Sequence, residues 1–306
     1  MKSELVSIIV PTHNRNNLLI RALNSIKNQT YKDFEVLVVD DIGNESTKEL
    51  VSSFADERFF YMRNQECQGA TYSRNIGVRE SKGNYIAFLD DDDEWYEKKI
   101  ELQLEKFHND KELGLVYGKI DIIITSLNLK YETKPFKKGN IYKDLLIENY
   151  VGATIIPMLN LNLISKKECY FDTDYPAREE YDLWIRLAKS YKVDFVNTPL
   201  ALSYGDFIAK RISSDIKNYE NGILLLNKKY EKEIEELLSE SEKLDRKILQ
   251  LKFLAAQAIK VNNTKIARKK YFEVLKLKLS FKNLIFYLIS FLSAKNIFLL
   301  RKYLKV

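Results

Sequence analysis

The sequence predicts an α/β chain with a mainly parallel central sheet, followed by an all-helical C-terminal region. Three observations lead there. Short apolar runs of strand length alternate with stretches of helical apolar spacing over roughly the first two thirds of the chain. All five prolines lie between Pro11 and Pro199, and all ten glycines between Gly43 and Gly222, so the 84 residues from Ile223 to Val306 contain neither. That last stretch is rich in Leu, Lys and Glu, the composition of helices. A boundary near residue 215 divides the chain into units 1–215 and 216–306.

In order, Val6 to Val10 is a short apolar strand stopped by Pro11. Asn17 to Asn28 carries Leu18, Leu19, Ala22, Leu23 and Ile26 at helical spacing. Phe34 to Val39 is a second buried strand, ending at Asp40-Asp41, and Thr47 to Phe54 a short helix. A third strand begins at Phe59, and Gly69 to Ser81 is a helix ended by Gly83. Tyr85 to Leu89 is a fourth strand, running into Asp90-Asp91-Asp92-Asp93. Strands joined by helices need crossovers, and so pair in parallel. Ligands in such sheets bind outside the carboxyl ends of the strands, where both acidic groups fall. The tail reads as four helices, roughly 216–238, 242–262, 264–279 and 281–304. Within it, Ala255, Ala256, Ala258, Asn262-Asn263, Ala267 and Leu275 resemble one tetratricopeptide-like helical hairpin, although a plain bundle fits as well.

With 45% hydrophobic and 30% charged residues, the 306-residue chain can build a core and is not a disordered, collagen-like or disulfide-framework protein. The two cysteines, Cys67 and Cys169, fit a reducing compartment. No secretory signal pattern is seen, so a cytoplasmic location is expected. The net charge of +6 is a property of the tail. After Glu273 there is no acid, but Lys276, Lys278, Lys282, Lys295, Arg301, Lys302 and Lys305 follow; without these seven the chain carries −1. Asn283 to Ala294 is uncharged and apolar. As a helix it would be about 18 Å long, short of the roughly 30 Å hydrocarbon core, which suits a helix lying in the interface of an anionic membrane. The bland reading is a bundle helix with solvated lysines. Nucleic acid is not an expected partner, because the charge sits on an apolar tail without a stacking-aromatic module.

Four consecutive aspartates could be a solvated turn. At the end of a buried strand, and just before Trp95, they fit a cation better: packed carboxylates repel, and hard oxygen ligands suit Mg²⁺ or Mn²⁺. Asp40-Asp41 could start a turn or cap a helix, or accept hydrogen bonds from a base or ribose. No Gly-rich phosphate loop follows the first strand; Pro11-Thr12-His13-Asn14-Arg15 stands there.

Val6 to Arg15, the Val38-Val39-Asp40-Asp41 doublet, Arg74-Asn75-Ile76-Gly77, Ile86 to Trp95 and Glu179 to Trp184 occur in the order and approximate spacing of glycosyltransferase family 2. The chain resembles that family over about residues 3–215. The resemblance implies the GT-A fold, a nucleotide-diphosphate sugar donor, with UDP the expected nucleotide, and inversion at the anomeric carbon. It implies that Pro11, Thr12 and Asn14 surround the base with Arg15 nearby, and that Asp41, with Asp40, recognises base or ribose. Arg74 is implied near the nucleotide phosphates. Asp90 and Asp92 match the Asp-X-Asp motif, with Asp92 the direct metal ligand and Asp90 the second. Asp91 is grouped with Asp90 on the nucleotide side.

Glu180 aligns with the catalytic base, with Glu179 and Asp182 as rivals, since the usual Glu-Asp is Glu179-Glu180 here. Many relatives carry a histidine after Pro199; Ser203 to Ile208 has none. His13 and His108 are expected to be an ordinary loop variant and a surface residue. The tail is similar to those of bacterial members that build surface polysaccharides or lipid-linked glycans, which implies a lipid-linked glycan acceptor and a peripheral position on the cytosolic face of the inner membrane. Two other readings stand beside this: a nucleotidyltransferase, and a non-catalytic adaptor with a retained sugar-nucleotide fold.

Overall fold

The structure is a computed structural model and describes residues 4–133, 137–205 and 215–304. The first part of the chain forms β1 (Val6–Thr12), α1 (Asn16–Lys27), β2 (Phe34–Asp40), α2 (Glu45–Ser53), β3 (Phe59–Arg63), α3 (Gly69–Glu80) and β4 (Tyr85–Phe88). It continues through β5 (Glu94–Trp95), α4 (Lys99–Asn109), β6 (Leu113–Ile124), β7 (Leu129–Glu132), α5 (Tyr142–Ile147), β8 (Met158–Asn160), α6 (Glu179–Ala188) and β9 (Lys192–Gly205). The tail is α7 (Ile216–Lys229), α8 (Glu231–Leu237), α9 (Glu240–Lys260), α10 (Thr264–Leu277), α11 (Phe281–Ile289) and α12 (Ala294–Leu304).

Every residue of β1 and β2 is buried, as expected of strands covered on both faces. Both pair in parallel, with β3 and β4 on their outer sides. Leu19, Leu23 and Ile26 of α1 have no exposed surface, and each such side chain contributes about 1.5–3 kcal/mol by leaving water. The sheet order is β3-β2-β1-β4-β8-β6-β9-β5, with β7 paired to β6. Antiparallel pairings come from the later strands: β8 joins β4 to β6, and β5 lies against β9. The sheet is therefore mixed, parallel over β1–β4 and between β6 and β9.

Two tail helices are shorter than expected. The 216–238 stretch breaks at Tyr230, which leaves helical geometry and buries its ring in the main core. The 281–304 stretch breaks after Ser290, and the Ser293 hydroxyl accepts from the Asn296 amide to start α12. Helix α9 opens on a capping box, Ser239 with Glu242. Helices α9 and α10 form a hairpin with Ala255, Ala258 and Ala267 buried at its seam. Leu226, Tyr230, Ile234 and Leu238 belong to the core of the sheet domain. Ile216 and Ile223 instead join a second cluster with α9, α10, α12 and the β6–β7 hairpin.

Candidate active site

Side-chain contacts join the carboxyl end of β1 to the aspartates after β4 and, through Arg74, to the N-terminus of α6, and the surface they border is the candidate cleft. Beyond the end of β4 the four aspartates lie in a loop and turn and divide into a buried pair, Asp91 and Asp93, and a more open pair, Asp90 and Asp92. Asp91 and Asp93 turn inward. Asp91 accepts from the Thr12 hydroxyl at 2.8 Å and lies 3.3 Å from Arg15 Nη1. Asp93 accepts from the Tyr204 amide at 3.0 Å. Burial pushes Asp91 up to about 6, with Asp92 and Asp90 adding while Thr12 and Arg15 oppose. Burial first, then Asp92 and Asp90, lifts Asp93 well above the usual carboxylate range. Asp90 and Asp92 are the more open pair, with side chains 30% and 17% exposed. Their all-oxygen donor set, crowded by two further carboxyl groups, fits a hard divalent cation such as Mg²⁺ or Mn²⁺.

Arg74, on α3, is buried beneath this run. Its Nη2 lies 2.7 Å from Asp90 Oδ1 and its Nη1 3.2 Å from Glu179 Oε1. Thr154, not singled out from the sequence, also faces Asp90, at 3.5 Å. Helix α6 starts after Arg178, whose φ of 74° lies in the left-handed region. The Arg178 guanidinium stacks over Tyr181 and, from the tail, Phe253. Next to it, Glu180 is pushed up to about 7, chiefly by burial, then by the Glu179 charge, with Arg178 and Arg74 opposing. Asp182 has no exposed surface and is engaged by Arg186 Nε at 2.9 Å, Tyr230 Oη at 2.8 Å and Lys229 Nζ at 2.8 Å. It ties α6 to α7.

The nucleotide side is built differently from a simple acidic doublet. Asp40 faces inward: its oxygens accept from the Gly43 amide at 2.8 Å and the Tyr61 hydroxyl at 3.0 Å, and it is not brought into the cleft. A Cβ on Gly43 would sit 2.2 Å from the Asp40 carboxylate, so a larger residue here would displace that side chain from its bond to the Gly43 amide. Asp41 accepts from the amides of Gln68 and Gly69, at 2.9 and 2.8 Å, and from Asn64 Nδ2 at 3.0 Å, capping α3 from the neighbouring strand. Burial would raise this carboxyl, but those donors and the Cys67 thiol hold it below the usual range.

Thr12 closes β1 behind Pro11, and Asn14 follows in left-handed geometry, φ 52°. His13 Nδ1 contacts the Asp41 carbonyl, and ligand-type atoms of His13, Asp41 and Cys67 lie within 4.8 Å of one another. The Asp41 carboxylate is already taken by the amides of α3, so this cluster reads as part of the cap. His108 is on the surface beside Glu4, as expected. Arg21 pairs with Glu94 at 3.1 Å and stacks on Tyr204, a support for the acidic run that has no local sequence signal. The segment expected at Ser203–Ile208 is described only to Gly205; residues 206–208, like Lys305, lie outside the described residues.

A parallel nucleotide-type half sheet with acids at its carboxyl edge, continued by a mixed half that brings a second acidic helix over the same cleft, is the GT-A architecture of sugar-nucleotide transferases. The solved structures agree on the fold. TarS of S. aureus, residues 1-349 in complex with UDP-GlcNAc, superposes with a TM-score of 0.56 at 14% identity, covering 93% of this chain and 90% of that one. The mannosyltransferase PcManGT of Pyrobaculum calidifontis, in complex with GDP-Man and Mn²⁺, gives 0.56 at 16% identity, covering 92% and 77%. The chain belongs to glycosyl transferase family 2, whose family model matches residues 7–161. Among curated relatives, the Escherichia coli UDP-Glc:alpha-D-GlcNAc-diphosphoundecaprenol beta-1,3-glucosyltransferase WfaP is 31% identical over 216 residues, 69% of this chain and 81% of that protein.

Proposed function

We propose that this glycosyltransferase moves a sugar, with inversion, from a UDP-sugar to a hydroxyl of a lipid-linked glycan at the cytosolic membrane face. The observation that carries the reading is the convergence, through Arg74, of the Asp90 end of β4 with Glu179 at the head of α6. One cleft thus holds a carboxylate cluster for the diphosphate and, beside it, a carboxylate for the acceptor. Glu180 takes the acceptor hydroxyl proton as that oxygen forms its bond to the anomeric carbon and the carbon–phosphate oxygen bond breaks. A group pushed to about 7 by burial is matched to that task near neutral pH. Asp92 and Asp90 would hold Mg²⁺ or Mn²⁺, which supplies Lewis-acid stabilisation of the leaving diphosphate. The Pro11–Arg15 loop and the Asn64–Gly69 loop, held by Asp41, form the walls for the nucleotide; Asp41 contributes through that cap, with Asp91 anchoring Thr12 and Arg15.

The donor and acceptor classes are supported by WfaP, whose name specifies UDP-Glc and a diphosphoundecaprenol-linked GlcNAc, and by the UDP-GlcNAc complex of TarS. No helix among the described residues is long and apolar enough to cross a membrane, which is compatible with a peripheral enzyme. The test is a nucleotide-release screen over nucleotide sugars, with Mn²⁺, Mg²⁺ or chelator, and with or without a detergent-dispersed membrane lipid extract. Metal-dependent release of a nucleoside diphosphate from one donor, increased by the extract, is expected. Release of pyrophosphate would indicate a nucleotidyltransferase, and failure to bind any donor a non-catalytic adaptor.

A further inference from the structure

We propose that the outer face of α11, together with the corners before and after it, inserts into an anionic lipid bilayer. The inference deepens the peripheral placement proposed above and rests on that reading. Seven of the fourteen large apolar side chains exposed among the described residues fall between residues 272 and 292. At the corner from α10 to α11, Leu279 and Phe281 are 82% and 80% exposed, a level at which neither has a folding role. Phe281, Leu284 and Leu288 stand at i, i+3 and i+7, one stripe along α11, and Leu292 extends it past the helix end beside Phe291, which is 54% exposed while its ring also meets Tyr287 and the Arg268 guanidinium. The opposite side of α11 is already used: Phe286 stacks on Tyr271 at 5.6 Å and Asn283 is buried. The helix is therefore apolar on two faces, and among the described residues the face of Phe281, Leu284 and Leu288 stays exposed.

What covers the other face follows from the charge around it. Lys278 and Lys282 flank the α10–α11 corner, and both lie near enough to Lys252 to help burial lower its proton affinity. Lys295 is exposed just beyond the second corner. Asp245, 3.2 Å from Lys278, is an acid that the fold brings to this rim, with Glu148 also acting on Lys252, and after Glu273 the sequence supplies none. Exposed apolar side chains ringed by lysines match acyl chains below anionic headgroups. A second copy of the chain fits worse, since an isologous contact on this face would bring the lysine-rimmed patch of one copy onto the same basic patch of the other.

The experiment is flotation of the full chain with acceptor-free vesicles of phosphatidylglycerol or of phosphatidylcholine. Wild-type protein is expected to float with phosphatidylglycerol and to be released by salt. Leu279→Ser with Phe281→Ser, or Lys282→Gln with Lys295→Gln, is expected to weaken binding about tenfold or more with melting temperature unchanged, because both pairs of substitutions leave the Lys278–Asp245 ion pair of the fold intact. Wild-type protein that stays in solution, variants that float like wild type, or a dimer in sedimentation that the Leu279/Phe281 variant dissolves would each overturn the proposal. Nucleotide release with detergent-dispersed extract separates the two ideas: turnover without flotation sinks the membrane face alone, and flotation without turnover sinks the enzymatic reading alone.

Discussion

Asp90 and Glu179 share one buried guanidinium: Arg74 donates to Asp90 at 2.7 Å and to Glu179 at 3.2 Å, from a side chain only 7% exposed. The sheet edge and the acidic helix are thereby locked at a fixed separation. Arg74→Met leaves two partly buried carboxylates facing each other. Loss of one partner of such a network costs about 3 kcal/mol, readable in chemical denaturation, and turnover should fall with it. Arg74→Lys keeps the charge but not the two-pronged geometry, so it should recover stability in part. A Met variant as stable as wild type would show that the bridge holds nothing together.

With Glu180 as the proposed base, a carboxyl pushed up to about 7 makes turnover depend on pH in one direction. Below that value Glu180 is protonated and cannot accept the acceptor's proton, so kcat should climb as pH rises and level off above about 7, with roughly a tenfold deficit one unit below. Glu180→Gln should remove this acidic limb and lower kcat by about 10²-fold or more, while donor affinity stays near wild type. An unchanged limb in the variant would assign it to another group.

Asp92 is one of the two more open carboxylates of its run. Asp92→Asn should therefore abolish the stimulation of nucleotide release by Mg²⁺ or Mn²⁺, and chelator should bring wild type to the same level. Asp93→Asn, at an inward group bound to the Tyr204 amide, should instead change stability more than metal response. Reversal of that order would mean that the division of the run into inward and open pairs is wrong.

Gly222 gives a test from the tail, on the back of the segment that leads into α6. In an ordinary helix interior, Gly→Ala stabilises by about 1 kcal/mol. Here the added Cβ would sit 2.1 Å from the Ala177 carbonyl oxygen, beside the segment that leads into Arg178 and Glu180. Gly222→Ala should thus destabilise by about 1–3 kcal/mol and depress kcat more than KM. A stabilised, fully active variant would contradict the close approach of α7.

The parts legible in the sequence were those whose physics is local. Strands β1, β2 and β4 are buried on both faces and read as continuous apolar runs, so their place and pairing follow from pattern and crossover rules, while β3 is an edge strand with Phe60 exposed. Strands β5 and β8 have two and three residues, too few for any period to show, and they supply antiparallel pairings. The acidic run was visible as a run, but not how it divides, because that depends on Thr12, Arg15 and Tyr204 from other elements. Asp40 and Asp41 illustrate the same limit: a turn and a helix cap were among their readings, and choosing between those and ligand contact took knowledge of Tyr61, Asn64 and Gly69. The place of Asp182 was equally hidden, since Tyr230 and Lys229 reach it from the tail.

The contact of Gly222 with Ala177, and the grip of Tyr230 on Asp182, bear on how such enzymes could be recombined. A chimera joined at residue 215 would leave the segment that leads into Arg178 and Glu180 without its back wall, however intact the sheet remained. An exchange of tails aimed at a new membrane or acceptor would have to keep α7 and α8 with the sheet and restore what Arg246 and Phe253 of α9 provide, the bond to the Leu146 carbonyl and the stack on Arg178. Modularity in this protein begins well after the point where its glycines and prolines run out.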